Sequence, residues 1–174
     1  QSSAVANFTV SKAIPTVNVN TTDIDYNTTE DVVINVTGVD GGAVPTGNVT
    51  VIVTNASGDV VFNETVDLSD GKKTVTVPVL PAGDYDVTVT YNGDANYTEA
   101  DAKANFTVKS IDSNLTVNVT NITYGENETL KYNVTEGATG TVNITVTGDN
   151  GVTKTFTDVP IENGTIGVNV DGLA

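Results

Sequence analysis

The chain has 174 residues, 22 of them acidic and seven basic, for a net charge of −15; it therefore lacks the basic footprint that nucleic acid or an anionic lipid surface demands. With no Cys and no His it has no disulfide framework, no thiolate or Ser-His-Asp chemistry and no His-ligated metal. No apolar run approaches the roughly 20 residues of a membrane-spanning helix, and the abundance of Val, Thr, Asn, Asp and Gly predicts strands and turns with essentially no helix.

Near its start the chain carries Ala6-Asn7-Phe8-Thr9-Val10, which returns intact as Ala104-Asn105-Phe106-Thr107-Val108, 98 residues later. The segments downstream of the two copies also correspond. Pro15-Thr16-Val17-Asn18-Val19-Asn20 is echoed by Asn114-Leu115-Thr116-Val117-Asn118-Val119, and the run 31–37 by the run 129–135. A fixed period must be read before anything else, and this one matches a β-sandwich unit of roughly 100 residues. The repeat divides the chain into 1–11, a closing strand of a preceding or neighbouring unit; 12–109, a complete unit; and 110–174, a second unit.

Within 12–109 apolar residues alternate with polar ones, the period-2 pattern of half-buried strands. Val32, Ile34 and Val36 share one face; Val49, Val51 and Val53 share another. Runs 60–66, 74–79 and 85–91 continue the pattern, separated by turn signals at Gly58, Asp70-Gly71 and Pro81-Ala82-Gly83. The run 85–91 places two tyrosines and two valines on one face, which predicts the central strand of its sheet. The second unit repeats these segments through 164–170 and then lacks the counterpart of 83–108. The expected fold is all-β: tandem immunoglobulin-like (Ig-like) antiparallel β-sandwiches, the second incomplete at its C-terminal end. An open sandwich beside a spare closing strand (Ala4, Val5, Ala6, Asn7, Phe8, Thr9 and Val10) has two readings. Either the residues are a window on a longer array, or neighbouring copies complete one another head to tail by strand donation.

Asn-x-Ser/Thr is the acceptor signal for N-linked glycan and calls for exposed surface. It occurs at Asn7, Asn20, Asn27, Asn35, Asn48, Asn55, Asn63, Asn96, Asn105, Asn114, Asn118, Asn121, Asn127, Asn133, Asn143 and Asn163. Asn is disfavoured within strands, so its repeated placement at outward strand positions points to a role beyond folding. N-linked glycans are the expected modification, with close neighbours such as Asn118 and Asn121 competing. In Asn105-Phe106-Thr107 the middle residue faces the core while the two acceptor residues face solvent.

The segment Tyr91-Asn92-Gly93-Asp94-Ala95-Asn96-Tyr97 resembles the Tyr-x-Gly-Asp-x-x-Tyr element that closes Ig-like repeats of bacterial and archaeal adhesin-type surface proteins. Gly83-Asp84-Tyr85 ahead of it and Phe106-Thr107-Val108 behind it extend the resemblance over the whole first unit. The acidic, Cys-free, Asn- and Thr-rich style is similar to adhesin-like proteins of methanogenic archaea. That resemblance implies an extracellular cell-surface stalk or fibre, built from repeats joined end to end and attached to an unspecified surface ligand. In local terms, Asn92-Gly93 and Asp94 suit a tight turn with positive φ, and Tyr97 is expected to pack beneath the end of a sheet.

The remaining chemistry is weaker. Asp84 and Asp86 form an i, i+2 pair on an outward strand face. Calcium favours clustered oxygens, and the junction carboxylates Asp101 and Asp112 are the candidate ligands; no EF-hand pattern occurs, so no metal is assigned. A Lys12–Asn105 isopeptide crosslink is conceivable by position, but alternation turns Asn105 outward when Phe106 turns inward. Lys103 and Lys109 are placed to protect a strand edge. No pair of carboxylates is set in a recognisable cleft, so no enzyme is expected. A filament subunit polymerising through the N-terminal strand and a lectin-like carbohydrate- or protein-binding module stand as alternatives to the stalk.

Overall fold

The computed structural model describes residues 3–119, 128–135, 137–148, 151, 153–161 and 165–170. The strands are β1 (Thr16–Asn20), β2 (Ile24–Asp25), β3 (Glu30–Thr37), β4 (Asn48–Asn55), β5 (Val60–Asp67), β6 (Lys72–Val77), β7 (Gly83–Tyr91), β8 (Ala100–Lys109), β9 (Leu115–Asn118), β10 (Glu128–Val134), β11 (Thr141–Thr147), β12 (Thr153–Pro160) and β13 (Thr165–Val170). No helix occurs among the described residues. The chain divides into two compact units, Gln1–Ile111 and Asp112–Ala174.

In the first unit a three-stranded sheet, β1-β3-β6, and a five-stranded sheet, β2-β8-β7-β4-β5, enclose one core. The alternation read from the sequence decides which side chains enter it. Val32, Ile34 and Val36 of β3 and Val75 and Val77 of β6 face Val49, Val51 and Val53 of β4, Val87 and Val89 of β7, and Phe106 and Val108 of β8. Each fully buried valine of this kind contributes about 1.5–3 kcal/mol, an upper figure because denatured chains already bury some apolar surface. β7 is the middle strand of its sheet, as its doubly aromatic face predicts. Its Tyr85 ring stacks on Phe106 of β8 at a centroid separation of 5.4 Å.

One local expectation is revised, and two features of the pairing were not in the pattern. The run 74–79 ends as a strand at Val77, because Pro78 has no N–H to donate; Val79 beyond it is 46% exposed. The two-residue strand β2, parallel to β8 through Ile24↔Val108 and Asp25↔Lys109, carries too short a pattern to be read in advance. Residues 3–11, part of the segment 1–11 read as the closing strand of a preceding or neighbouring unit, pair with no strand among the described residues of this chain. The edge of β7 that their sequence would fit is already occupied by β8, which has the same five residues. Val5, Phe8 and Val10 are consequently 89%, 89% and 84% exposed.

In the second unit β9-β10-β13 form one sheet and β11-β12 a hairpin. This repeats the pairing of β1-β3-β6 and of β4-β5. Leu130, Tyr132 and Ile144 are its buried apolar residues among those described, with Val134, Val142 and Phe156 packed against them.

Candidate functional site

No group of three or more metal-ligating side chains comes together among the described residues. Asp101 sits at the start of β8, in register with Thr90, whereas Asp112 lies beyond its end. The strand between Asp101 and Lys109 is roughly 26 Å long, further than the three residues from Lys109 to Asp112 can return. The two junction carboxylates therefore do not share a site. Asp84 and Asp86 are both exposed, and Asp84 accepts a hydrogen bond from the Thr107 hydroxyl at 2.8 Å. Lys12 and Asn105 are also kept apart. The Lys12 ammonium donates to the carbonyl of Asp94 at 2.5 Å, while the exposed Asn105 side chain lies half-way down β8, opposite Asp86.

The best-defined constellation is the β7–β8 loop. Gly93 takes φ 78°, and a Cβ there would lie 2.9 Å from the Tyr97 carbonyl, so both conformation and space demand glycine. The turn is centred on Asp94. One carboxylate oxygen accepts from the Asn96 and Tyr97 amides at 2.7 and 2.8 Å, and the other from the amide and hydroxyl of Thr46 at 2.8 and 2.9 Å. Partial burial alone would raise the pKa of this carboxyl. The hydrogen bonds from Thr46, Asn96 and Tyr97 outweigh that effect and hold it well below the usual carboxylate range. Tyr97 is buried beneath the sheet end, as expected, and its hydroxyl donates to the Ala43 carbonyl. Gly38 admits that ring: a Cβ there would stand 2.2 Å from the Tyr97 hydroxyl oxygen.

Tyr91 is wholly buried, and its hydroxyl has no hydrogen-bond partner of ordinary geometry. Burial first, and the nearby Asp94 carboxylate second, push its pKa up to about 12. Sequence reasoning missed Glu30, which is 1% exposed. Its two carboxylate oxygens accept from the Thr22 amide at 2.7 Å and the Thr22 hydroxyl at 3.1 Å. The alternation around β3 placed Glu30 on the core face with Val32, and that was the available signal.

Most of the asparagines of the Asn-x-Ser/Thr motifs that are described lie at the surface. Asn7, Asn20, Asn27, Asn63, Asn96, Asn105, Asn114, Asn118, Asn133 and Asn143 are exposed, and Asn35, Asn48 and Asn55 are half-buried; Asn121, Asn127 and Asn163 lie outside the described residues. Asn55 is built into the β4–β5 turn. Its carbonyl oxygen accepts from the Ser57 and Asp59 amides at 3.0 and 2.9 Å, and its amide nitrogen donates to Asp59 at 3.3 Å. The side-chain carbonyl of Asn143 accepts from the Asp158 amide at 3.0 Å at the β11–β12 irregularity. The carbonyl of Asn48 is held by Asn92 at 2.6 Å.

The two facing sheets, the glycine-aspartate loop and the parallel β2–β8 contact define an Ig-like β-sandwich. Residues 16–109 match the bacterial Ig-like domain (group 3) family, and the chain belongs to that family. Among solved structures it is similar to a tetra-tandem repeat in the extending region of a large adhesion protein. That similarity has a TM-score of 0.52 and 26% identity over 92% of this chain, and the chain spans 42% of that structure's length. No curated protein matches the sequence. The fold is that of a structural rather than a catalytic module, and no helix among the described residues is long and apolar enough to cross a membrane.

Proposed function

We propose that the chain is part of an extracellular, N-glycosylated stalk or fibre on a cell surface, in which Ig-like repeats act as spacers for attachment. The observation that carries this reading is the repeat itself: residues 6–10 duplicate the core-facing closing strand of an adjoining, family-matched unit. The likeness to tandem repeats of an adhesion protein supports adhesion as the setting. Ten exposed acceptor asparagines among the described residues support a sugar coat, which would add to the solubility that a charge of −15 already gives. The Asn-rich, Cys-free composition supports an archaeal source of the adhesin-like type. Residues 1–11 then close a preceding unit, and 12–109 and 110–174 are successive repeats.

The test is the intact mass of the chain from its native source before and after chemical deglycosylation. Sugar increments on a polypeptide much larger than 18.0 kDa are expected. A bare polypeptide would overturn the shielding role of the acceptor sites. The high exposure of Val5, Phe8 and Val10 favours a second reading, a filament whose subunits donate this strand to the next copy. Deleting residues 1–10 abolishes assembly in that case and leaves a stalk segment intact.

A further inference from the structure

The pole of the first unit formed by the β3–β4 and β7–β8 loops carries more than a turn. Ala13, just ahead of β1, is fastened to the β7–β8 loop by two backbone hydrogen bonds: its amide donates to the Asn96 carbonyl, and its carbonyl accepts from the Thr98 amide, each at 2.9 Å. Lys12 adds its contact to the Asp94 carbonyl. Beside this fastening lies an open groove of about 460 Å³, its lining including Val10, Val39, Gly42, Ala43 and Ala95. Val39 is 49% exposed and Ile14, next to the fastening, 77%.

We infer that this groove is the seat of the preceding Ig-like repeat, so that the joint between repeats is a fixed contact and not a swivel. The inference rests on the reading of residues 1–11 as the closing strand of that repeat. Val10 is the counterpart of Val108, which is 1% exposed in the core of its own unit. Val10 therefore belongs inside the preceding unit, while Ala13 is bound to this one. Only Ser11 and Lys12 lie between them, so the two attachment points are at most about 11 Å apart. A body tethered that closely holds its lower pole within reach of the groove. The first unit shows what such a lower pole offers. Beside the end of β8, the β6–β7 connection exposes Pro78, Val79, Pro81 and Ala82, an apolar knob of the size and character the groove lacks. Contact between the two would remove exposed apolar surface from both.

The repeat spacing provides a test. Gln1 is the counterpart of Glu99, so a chain with residues 12–98 placed directly ahead of Gln1 contains a complete preceding unit with its native junction. Amide exchange should show residues 6–10 protected as a strand, and residual dipolar couplings should give one common alignment for the two Ig-like bodies. Replacing Val39→Asp and Ala43→Asp together should abolish the common alignment while both bodies stay folded. If residues 6–10 become protected but the bodies align independently, the seat is overturned and the repeat reading stands. If residues 6–10 stay unprotected, the repeat reading falls and the seat with it. If alignment remains common in the doubly substituted chain, the joint is held elsewhere and this groove is not its cause.

Discussion

Asp94 does at one position what longer loops need several side chains to do. Four donors converge on its carboxylate from two different loops, so its charge fastens the β3–β4 segment to the β7–β8 turn. Hydrogen bonds to a charged group are worth roughly 1.5–3 kcal/mol, and Asp94→Asn should cost an amount in that range at pH 7. The loss depends on pH in a defined direction. Because the native state holds Asp94 ionised below the ordinary carboxylate value of 3.8, only the unfolded chain takes up the proton as pH falls through that value. The contribution is complete above about pH 5 and is lost progressively toward pH 2. Thermal melts of the two chains should therefore differ most near neutrality and converge on acidification; a constant gap would show that the charge is not the source. The Tyr-x-Gly-Asp-x-x-Tyr spacing made this turn legible in the sequence. The reach of Asp94 to Thr46 was not legible, since 48 residues separate the partners and no local pattern encodes a contact between loops.

Among the elements, the two faces of β8 were readable, Phe106 and Val108 inward and Asn105 outward, but its edge was not, since Lys109, read as protecting an open edge, pairs with Asp25 of β2. Strand alternation is local, and nothing in the fold opposes it there. The crossover from β1 to β2 was not readable, because it is set by a tertiary contact. Glu30, at the start of β3, reaches back to grip Thr22 at the point where the chain leaves one sheet for the other. Glu30→Ala leaves the Thr22 amide without its acceptor and should destabilise the first unit by about 1–3 kcal/mol. Thr37→Ala, on the exposed face of the same strand, should change stability by no more than about 0.5 kcal/mol. Denaturant titration distinguishes these outcomes, and equal losses at the two positions would remove the special role given to Glu30. The unpaired state of residues 3–11 within this chain has the same kind of origin. Sequence specifies a strand's two faces, but whether it forms one depends on an edge being free, and β8 holds that edge.

For the whole molecule, the fold class and the repeat were legible because they are periodic, while the functional surfaces were legible only in part. Acceptor motifs announce themselves, yet the turn role of Asn55 appears only once its hydrogen bonds to Asp59 and Ser57 are traced. The apolar cluster of the first unit draws its buried members from positions 32–108 and its half-buried ones from positions 13–104. Residues 12–109 alone should therefore unfold cooperatively at nearly the temperature of that unit in the full chain. Calorimetry checks this, and a large drop would mean that its stability is borrowed from 110–174.

The parallel pairing of β2 with β8 has a consequence for load. The chain enters the first unit at Ala13, beside the β7–β8 loop, and leaves at Lys109, at the far end of a ten-residue strand. Tension between those points draws β2 along β8 instead of peeling it away. The Tyr26–Lys109 backbone bond, the Ile24 and Asp25 pairs and the Thr107 amide held by Asp23 at 3.0 Å are then loaded in shear and must give way together. Single-molecule pulling on the chain should show a lower rupture force in Asp23→Ala, and no change would place the resistance in another strand pair. Two residues of parallel strand would thus serve as the latch of a cysteine-free sandwich pulled along its chain.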